Sequence, residues 1–226
     1  MRRGLVIAID GPAGAGKSTV SRLLAERLGF VLVDTGALYR SVALASREAG
    51  LDWEDGPALA AFALTLPIEF VREGGAMRVR IDGNDRSGDI RTPEISDGAS
   101  RVSRHPEVRE ALLELQRRLG ADGGVVVEGR DIGTVVFPDA EVKVFLTASP
   151  EVRAERRWKE LEARGVPSDR DEILQGIRER DRRDSGRPVA PLVAAPDAHL
   201  LDASEASIDQ VVDRLVSLVE AASSRG

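Results

Sequence analysis

The chain contains no cysteine, which removes a disulfide framework, a thiolate zinc site and a cysteine nucleophile together. Histidine is nearly as scarce: His105 and His199 are the only two in 226 residues, too few for an all-imidazole metal centre. His105 stands before Pro106 at a helix start and reads as a surface or capping residue, His199 as a strand-entry residue. Aromatic residues make up 4% of the chain, so a nucleic-acid groove lined with several stacking rings is excluded, and Trp53 and Trp158 are expected to pack. Long apolar runs are also missing. Leu5 to Ile9 is too short for a signal segment or a span and leads into an acid and a glycine, and no other stretch approaches the roughly twenty residues a spanning helix needs. The lack of thiols fits a reducing, cytoplasmic compartment. Net positive charge is absent as well. The 32 Lys plus Arg face 38 Asp plus Glu, a formal charge of −6, which argues against a general binder of nucleic acid or membrane surface, so an anionic ligand must be held by a local cluster. Lysine is confined to Lys17, Lys143 and Lys159, so almost every cation is arginine, and one arginine alone is weak evidence of function.

What is present is enough for a sizeable core: 42% hydrophobic residues over this length suit a single domain with a small appendage. Short apolar runs, GLVIAI (4–9), FVLV (30–33), VVVE (125–128), VKVFL (142–146) and HLLD (199–202), alternate with helical patterns. Runs of this kind are buried on both faces of a parallel sheet. Val20, Leu23, Leu24 and Leu28 make one helical stripe closed by Gly29, and Val108, Leu112, Leu115 and Leu119 another over 106–119. Ser149-Pro150 predicts a helix start, and Ser207 with Gln210 a capping box ahead of Val211, Val212, Leu215 and Leu218. The class is α/β. Two segments break the rhythm. IEFV (68–71), REGG, MRVRI (77–81), DGN (82–84) and SGDIR (87–91) read as an antiparallel meander joined by glycine turns. The stretch 151–188 is dense in charges of both signs, which by itself describes a solvated helical hairpin. The terminal SSRG is expected to fray.

The strongest motif follows the first strand. Gly11, Pro12, Ala13, Gly14, Ala15, Gly16, Lys17, Ser18 and Thr19 satisfy G-x-x-x-x-G-K-[ST] at the start of an amphipathic helix. Glycines let successive backbone N–H groups turn inward toward phosphate oxygens, and the helix N-terminus adds partial positive charge. Lys17 neutralises the outer phosphates and Ser18 can ligate Mg²⁺. A triphosphate loop does not choose among a switch GTPase, a motor ATPase and a kinase. A guanine-reading Asn-Lys-x-Asp is absent, and the third strand ends Val127-Glu128-Gly129-Arg130-Asp131 rather than in Asp-Glu.

The second strand ends Asp34-Thr35-Gly36-Ala37-Leu38-Tyr39-Arg40, which places a hydroxyl, an aromatic ring and a guanidinium at the carboxyl edge where ligands of open α/β sheets bind. Arg130 and Asp131 follow the third strand, and Arg109 lies on the preceding helix. Taken singly, Arg40 reads as an exposed helix residue and Arg130-Asp131 as a local ion pair. Taken together they suggest a second, phosphorylated substrate, because arginine grips phosphate bidentately and keeps its charge. The arginine-dense 151–188 stretch is then a candidate lid.

GPAGAGKST, DTGALYR, the insert with SGDIR, VREALL, EGRDIGTVVFPDA, KVFLTAS and RERDRRDSGR-PVAPL together resemble the bacterial cytidylate kinases from end to end. The combination of DTGA-x-YR, SG-[DE]-IRT and GRD-[IM]-GT is specific, whereas adenylate and shikimate kinases share only the loop and the general fold. The resemblance implies transfer of the ATP γ-phosphoryl group to CMP or dCMP with Mg²⁺. The implied fold is a five-stranded parallel sheet flanked by helices, with a small antiparallel β insert and a helical lid. One kinase domain would span 1–226: core 1–65, 103–150 and 189–226, nucleotide-binding insert 66–102, lid 151–188. Arg40, Arg130 and Arg187 match residues that hold the monophosphate. Ser100, Arg109 and Asp131 match readers of cytosine, and Asp184 matches the acid on the ribose. Arg180 matches a lid arginine, Arg156 and Arg157 are further lid candidates, and Thr35 and Tyr39 complete the pocket wall. Small-molecule nucleotides are the implied partners, with no nucleic acid and no membrane, and a monomer is the expected state. Glu128 stands where many relatives carry Asp. It reads equally as a holder of a Mg²⁺-bound water or as a strand-end acid paired with a nearby arginine.

Overall fold

The computed structural model describes residues 4–73 and 76–224. The REGG turn therefore lies partly outside the described residues, as do the last two residues of SSRG. Packing divides the chain into two compact units, 1–33 with 120–226 and 34–119.

The chain enters through β1 (Val6–Asp10), α1 (Lys17–Leu28) and β2 (Val31–Asp34). Gly16 at φ 97° precedes α1, and Gly29 at φ 68° closes it, its N–H returning to the Ala25 carbonyl. Of the predicted stripe, Val20 and Leu24 are fully buried, and Leu23 and Leu28 flank them.

The second unit follows. It consists of α2 (Thr35–Glu48), α3 (Gly56–Thr65), the antiparallel strands β3 (Ile68–Glu73), β4 (Ala76–Ile81) and β5 (Asn84–Asp85), then α4 (Pro93–Val102) and α5 (Pro106–Leu119). Its core joins Leu38, Val42, Leu59, Ile90, Ile95, Val102, Val108 and Leu112. The meander is real but shorter than SGDIR suggested. Asp82 (φ 51°) and Gly83 (φ 75°) turn β4 into β5, after which Asp89–Arg91 forms a single helical turn. Side chains end the ladder: the Ser87 hydroxyl accepts from Val79 N at 2.9 Å, and Ser87 N donates to Asp85 Oδ1 at 2.9 Å.

The chain then returns to the first unit with β6 (Val125–Glu128), β7 (Val142–Thr147), α6 (Pro150–Ala163), α7 (Arg170–Ser185), β8 (His199–Asp202) and α8 (Ile208–Ser223). The five-stranded parallel sheet runs β2-β6-β1-β7-β8, with β1 at its centre. The expected helix starts form: Ser149 Oγ accepts from Val152 N, and Ser207 and Gln210 cap each other. Helices α1 and α8 cover the sheet through Leu24, Val211, Val212 and Leu215. Each such fully buried leucine contributes about 2 kcal/mol of transfer free energy. Parallel pairing of β6, β1, β7 and β8 brings their carboxyl ends to one edge, where the phosphate loop, the Arg130 turn, the entry to α6 and the Ala203 loop all begin.

Candidate active site

The phosphate loop leaves β1 in close contact with backbone. A Cβ at Gly11 (φ 145°) would lie 1.9 Å from the Leu146 carbonyl oxygen, so only glycine fits there. Lys17 is 7% exposed, and its ammonium donates to the Gly11 and Pro12 carbonyls at 2.8 Å each. Burial, then repulsion from Arg130, holds its pKa well below the usual value, with Arg180 adding to the repulsion and Glu128 and Asp10 opposing it. A cation gathered with two others against their mutual repulsion describes a place made for an anion.

Ser18 Oγ donates to Glu128 Oε1 at 2.8 Å, linking the start of α1 to the end of β6. The pair offers the hard oxygen donors Mg²⁺ prefers. No group of three or more acidic or imidazole ligands occurs among the described residues.

Asp10 ends β1 and is 4% exposed. Its two oxygens accept from Ile132 N and Gly133 N, each at 2.8 Å, and so tie the turn after Asp131 to the central strand. That turn is a wide one: Phe137 N returns to the Ile132 carbonyl and Val136 N to the Asp131 carbonyl, each five residues back, a geometry common at functional sites. Burial pushes the Asp10 carboxyl up to about 6, against the lowering effect of the two backbone N–H groups.

Asp184, 1% exposed, gathers three arginines. Arg130 Nε donates to its Oδ2 at 3.1 Å, Arg187 Nη2 to its Oδ1 at 2.5 Å, and Arg180 Nε lies 4.0 Å from Oδ2. Burial alone would raise this carboxyl, but Arg130, Arg187 and Arg180 outweigh it and hold it below its usual value. Arg156 bridges the Ala15 and Ala203 carbonyls at 3.4 and 2.6 Å. Arg157 instead faces the side of α6 and pairs with Glu160 at 2.8 Å.

In the second unit Asp34 caps α2 through Ala37 N and binds Arg40 Nη2 at 2.5 Å. Thr35, Tyr39 and Ser100 are buried. Arg109, also buried, stacks its guanidinium 5.4 Å above the Tyr39 ring and donates to the Ser103 carbonyl at 3.2 Å.

Two participants escaped the sequence reading. Asp10 was legible as an acid terminating an apolar strand directly before the loop. Arg153, one turn before Arg156, had no signal that separates it from the other arginines of the segment.

A family model described as cytidylate kinase matches residues 7–221. The chain is 51% identical to a cytidylate kinase of Geobacter sulfurreducens over 96% of this chain and 94% of that one. It is 52% identical to a cytidylate kinase of Syntrophotalea carbinolica over 97% and 93%. Among solved structures, an uncharacterised protein of Eubacterium ventriosum shares the fold, with a TM-score of 0.53 over 96% of this chain and 98% of that chain at 14% identity.

Proposed function

The chain belongs to the cytidylate kinase family and is a kinase that transfers the γ-phosphoryl group of ATP to CMP or dCMP, and we propose the following division of labour among its residues. The observation that carries it is the convergence of Arg130, Arg187 and Arg180 on the Asp184 carboxylate, at 3.1, 2.5 and 4.0 Å, with the buried Lys17 within the field of Arg130 and Arg180. Phosphoryl transfer asks a protein mainly to position two substrates and to disperse charge on the moving group.

The residues from Gly11 to Thr19 cradle the ATP phosphates. Ser18 would hold Mg²⁺, with Glu128 beside it to receive a bound water, and the metal would supply neutralising charge for the ATP phosphates. Arg40, Arg130 and Arg187 hold the acceptor monophosphate, Arg180 and Arg156 serve the donor phosphates, and Arg157 stands by on the lid. Asp184 receives the ribose hydroxyls while it keeps its arginines in register. Ser100, Arg109 and Asp131 read cytosine, with Thr35 and Tyr39 as the wall. The 4-amino group of cytosine donates to the Asp131 carboxylate, which would face and repel the 4-oxo group of uracil. An unpaired buried carboxylate costs about 1–3 kcal/mol, a preference of roughly tenfold to a hundredfold.

Residues 66–102 act as the nucleotide-binding insert and 151–188 as the lid of one kinase domain. The enzyme works as a cytoplasmic monomer on small-molecule nucleotides. No helix among the described residues is long and apolar enough to cross a membrane. Calorimetric titration of CMP and UMP in the presence of an unreactive ATP analogue tests the cytosine assignment. CMP binding at least about ten times more tightly is expected, and equal affinities would overturn it.

A further inference from the structure

Arg153 is 3% exposed, yet it touches three elements. Its Nε donates to the Ala148 carbonyl at 2.8 Å, just past the end of β7. Its Nη1 donates to the Ala13 carbonyl of the phosphate loop at 3.1 Å and to Asp181 Oδ1 at 3.0 Å, and its Nη2 donates to Asp181 Oδ2 at 2.6 Å. A Cβ at Gly14 would meet the Arg153 Cβ at 3.2 Å, so the side chain lies flat against the loop. A loop that turns its N–H groups toward phosphate turns carbonyls outward, and Arg153 collects one of them. Asp181 sits on α7 beside Arg180 and one turn before Asp184. The planar fork of one guanidinium thus joins the donor loop to the helix that carries Arg180 and Asp184, through four bonds from three separate nitrogens that the single ammonium nitrogen of a lysine could not reproduce.

We propose that Arg153 is a positioning residue for phosphoryl transfer. Through Ala13 it sets the shape of the phosphate loop, and through Asp181 it sets where α7 presents Arg180 to the reacting phosphate and Asp184 to the arginines it holds. The inference rests on the kinase reading above. A wild-type protein without turnover would refute that reading, whereas the comparisons below presuppose wild-type activity and judge the proposal alone.

Asp181→Asn keeps the shape and the loop arm but weakens the lid arm. Its kcat should fall about tenfold while KM for ATP stays within about twofold. Arg153→Lys weakens both arms, so kcat should fall and KM for ATP rise about fivefold. In the double variant kcat should drop no further than in Arg153→Lys alone, because the two residues act as one link. Asp181→Glu, which restores the charge, should recover part of the rate. Thermal denaturation and active-site titration of each variant separate positioning from folding. Wild-type kcat in Asp181→Asn, additive losses in the double variant, or losses that track only the folded fraction would each overturn the proposal.

Discussion

The hydroxyl of Ser18 donates to the carboxylate of Glu128 at 2.8 Å, so the longer acid at the end of β6 reaches the first turn of α1. Glu128 is 4% exposed, and its position beside the phosphate loop supports the proposal that it would hold a water on the metal. Glu128→Gln, which keeps the shape and removes the charge, should raise the Mg²⁺ concentration needed for half-maximal rate about tenfold. Rates measured across a magnesium titration check this, and an unchanged midpoint would leave Glu128 as a strand-end acid only.

Arg130 bridges the Asp184 carboxylate and its own turn, with Nη1 donating to the Gly129 carbonyl at 3.2 Å. Arg130→Ala should lower the transfer rate by about a thousandfold, as expected when a group that disperses charge on a moving phosphoryl is lost. ATP binding should stay within about threefold of wild type, since the loop's backbone contacts persist. Single-turnover rates and nucleotide titrations separate the two effects. Asp184 retains Arg187, so the variant keeps a partner for its buried carboxylate and should still fold.

Asp10 gives stability a pH dependence of known sign. Its carboxyl goes from 3.8 in the ordinary state to about 6 in the folded one, so the folded protein binds the proton more tightly. The contribution is fully present below pH 4 and is lost as pH rises through 6; at neutral pH it amounts to about 3 kcal/mol withheld from the folded state. Asp10→Asn cannot titrate. Urea denaturation of both proteins at pH 4 and pH 7.5 should show the margin of wild type over the variant shrinking as pH rises. A margin that is constant or grows would contradict the assignment.

Asp131→Asn changes the polarity of the group proposed to face the exocyclic position of the base. The ratio of kcat/KM for CMP over UMP should fall at least about tenfold. Parallel assays with the two acceptors measure it, and an unaltered ratio would place the base reader elsewhere.

The parallel sheet was legible because its strands are continuous apolar runs bounded by glycine and acid, and β6 and β8 occupy the predicted residues. Helix α5 likewise spans the predicted 106–119, since Pro106 and Gly120 punctuate it. The SGDIR stretch was misread as strand because the bonds that end the ladder come from the Ser87 and Asp85 side chains, which periodicity does not register. In the site, the loop and the GRD turn carry their own spacing and could be found. The Arg153 bridge could not: its partners lie 140 residues away at Ala13 and 28 away at Asp181, and Arg156 and Arg157 follow within four residues with nothing in the sequence to set it apart from them. The family resemblance marks Asp184 as a candidate ribose acid, but its place at the centre of three guanidiniums depends on the pitch of α7 and on the return of the chain at Arg187.

The central claim is tested most directly by ADP formation from ATP and Mg²⁺ with CMP, dCMP, UMP, AMP, GMP or no acceptor. Fast turnover with CMP and dCMP and little with AMP or GMP is the predicted result. If no monophosphate raises ADP release above the acceptor-free rate, the account of a cytidylate-directed phosphoryl transfer is contradicted and only the phosphate loop's affinity for nucleotide remains.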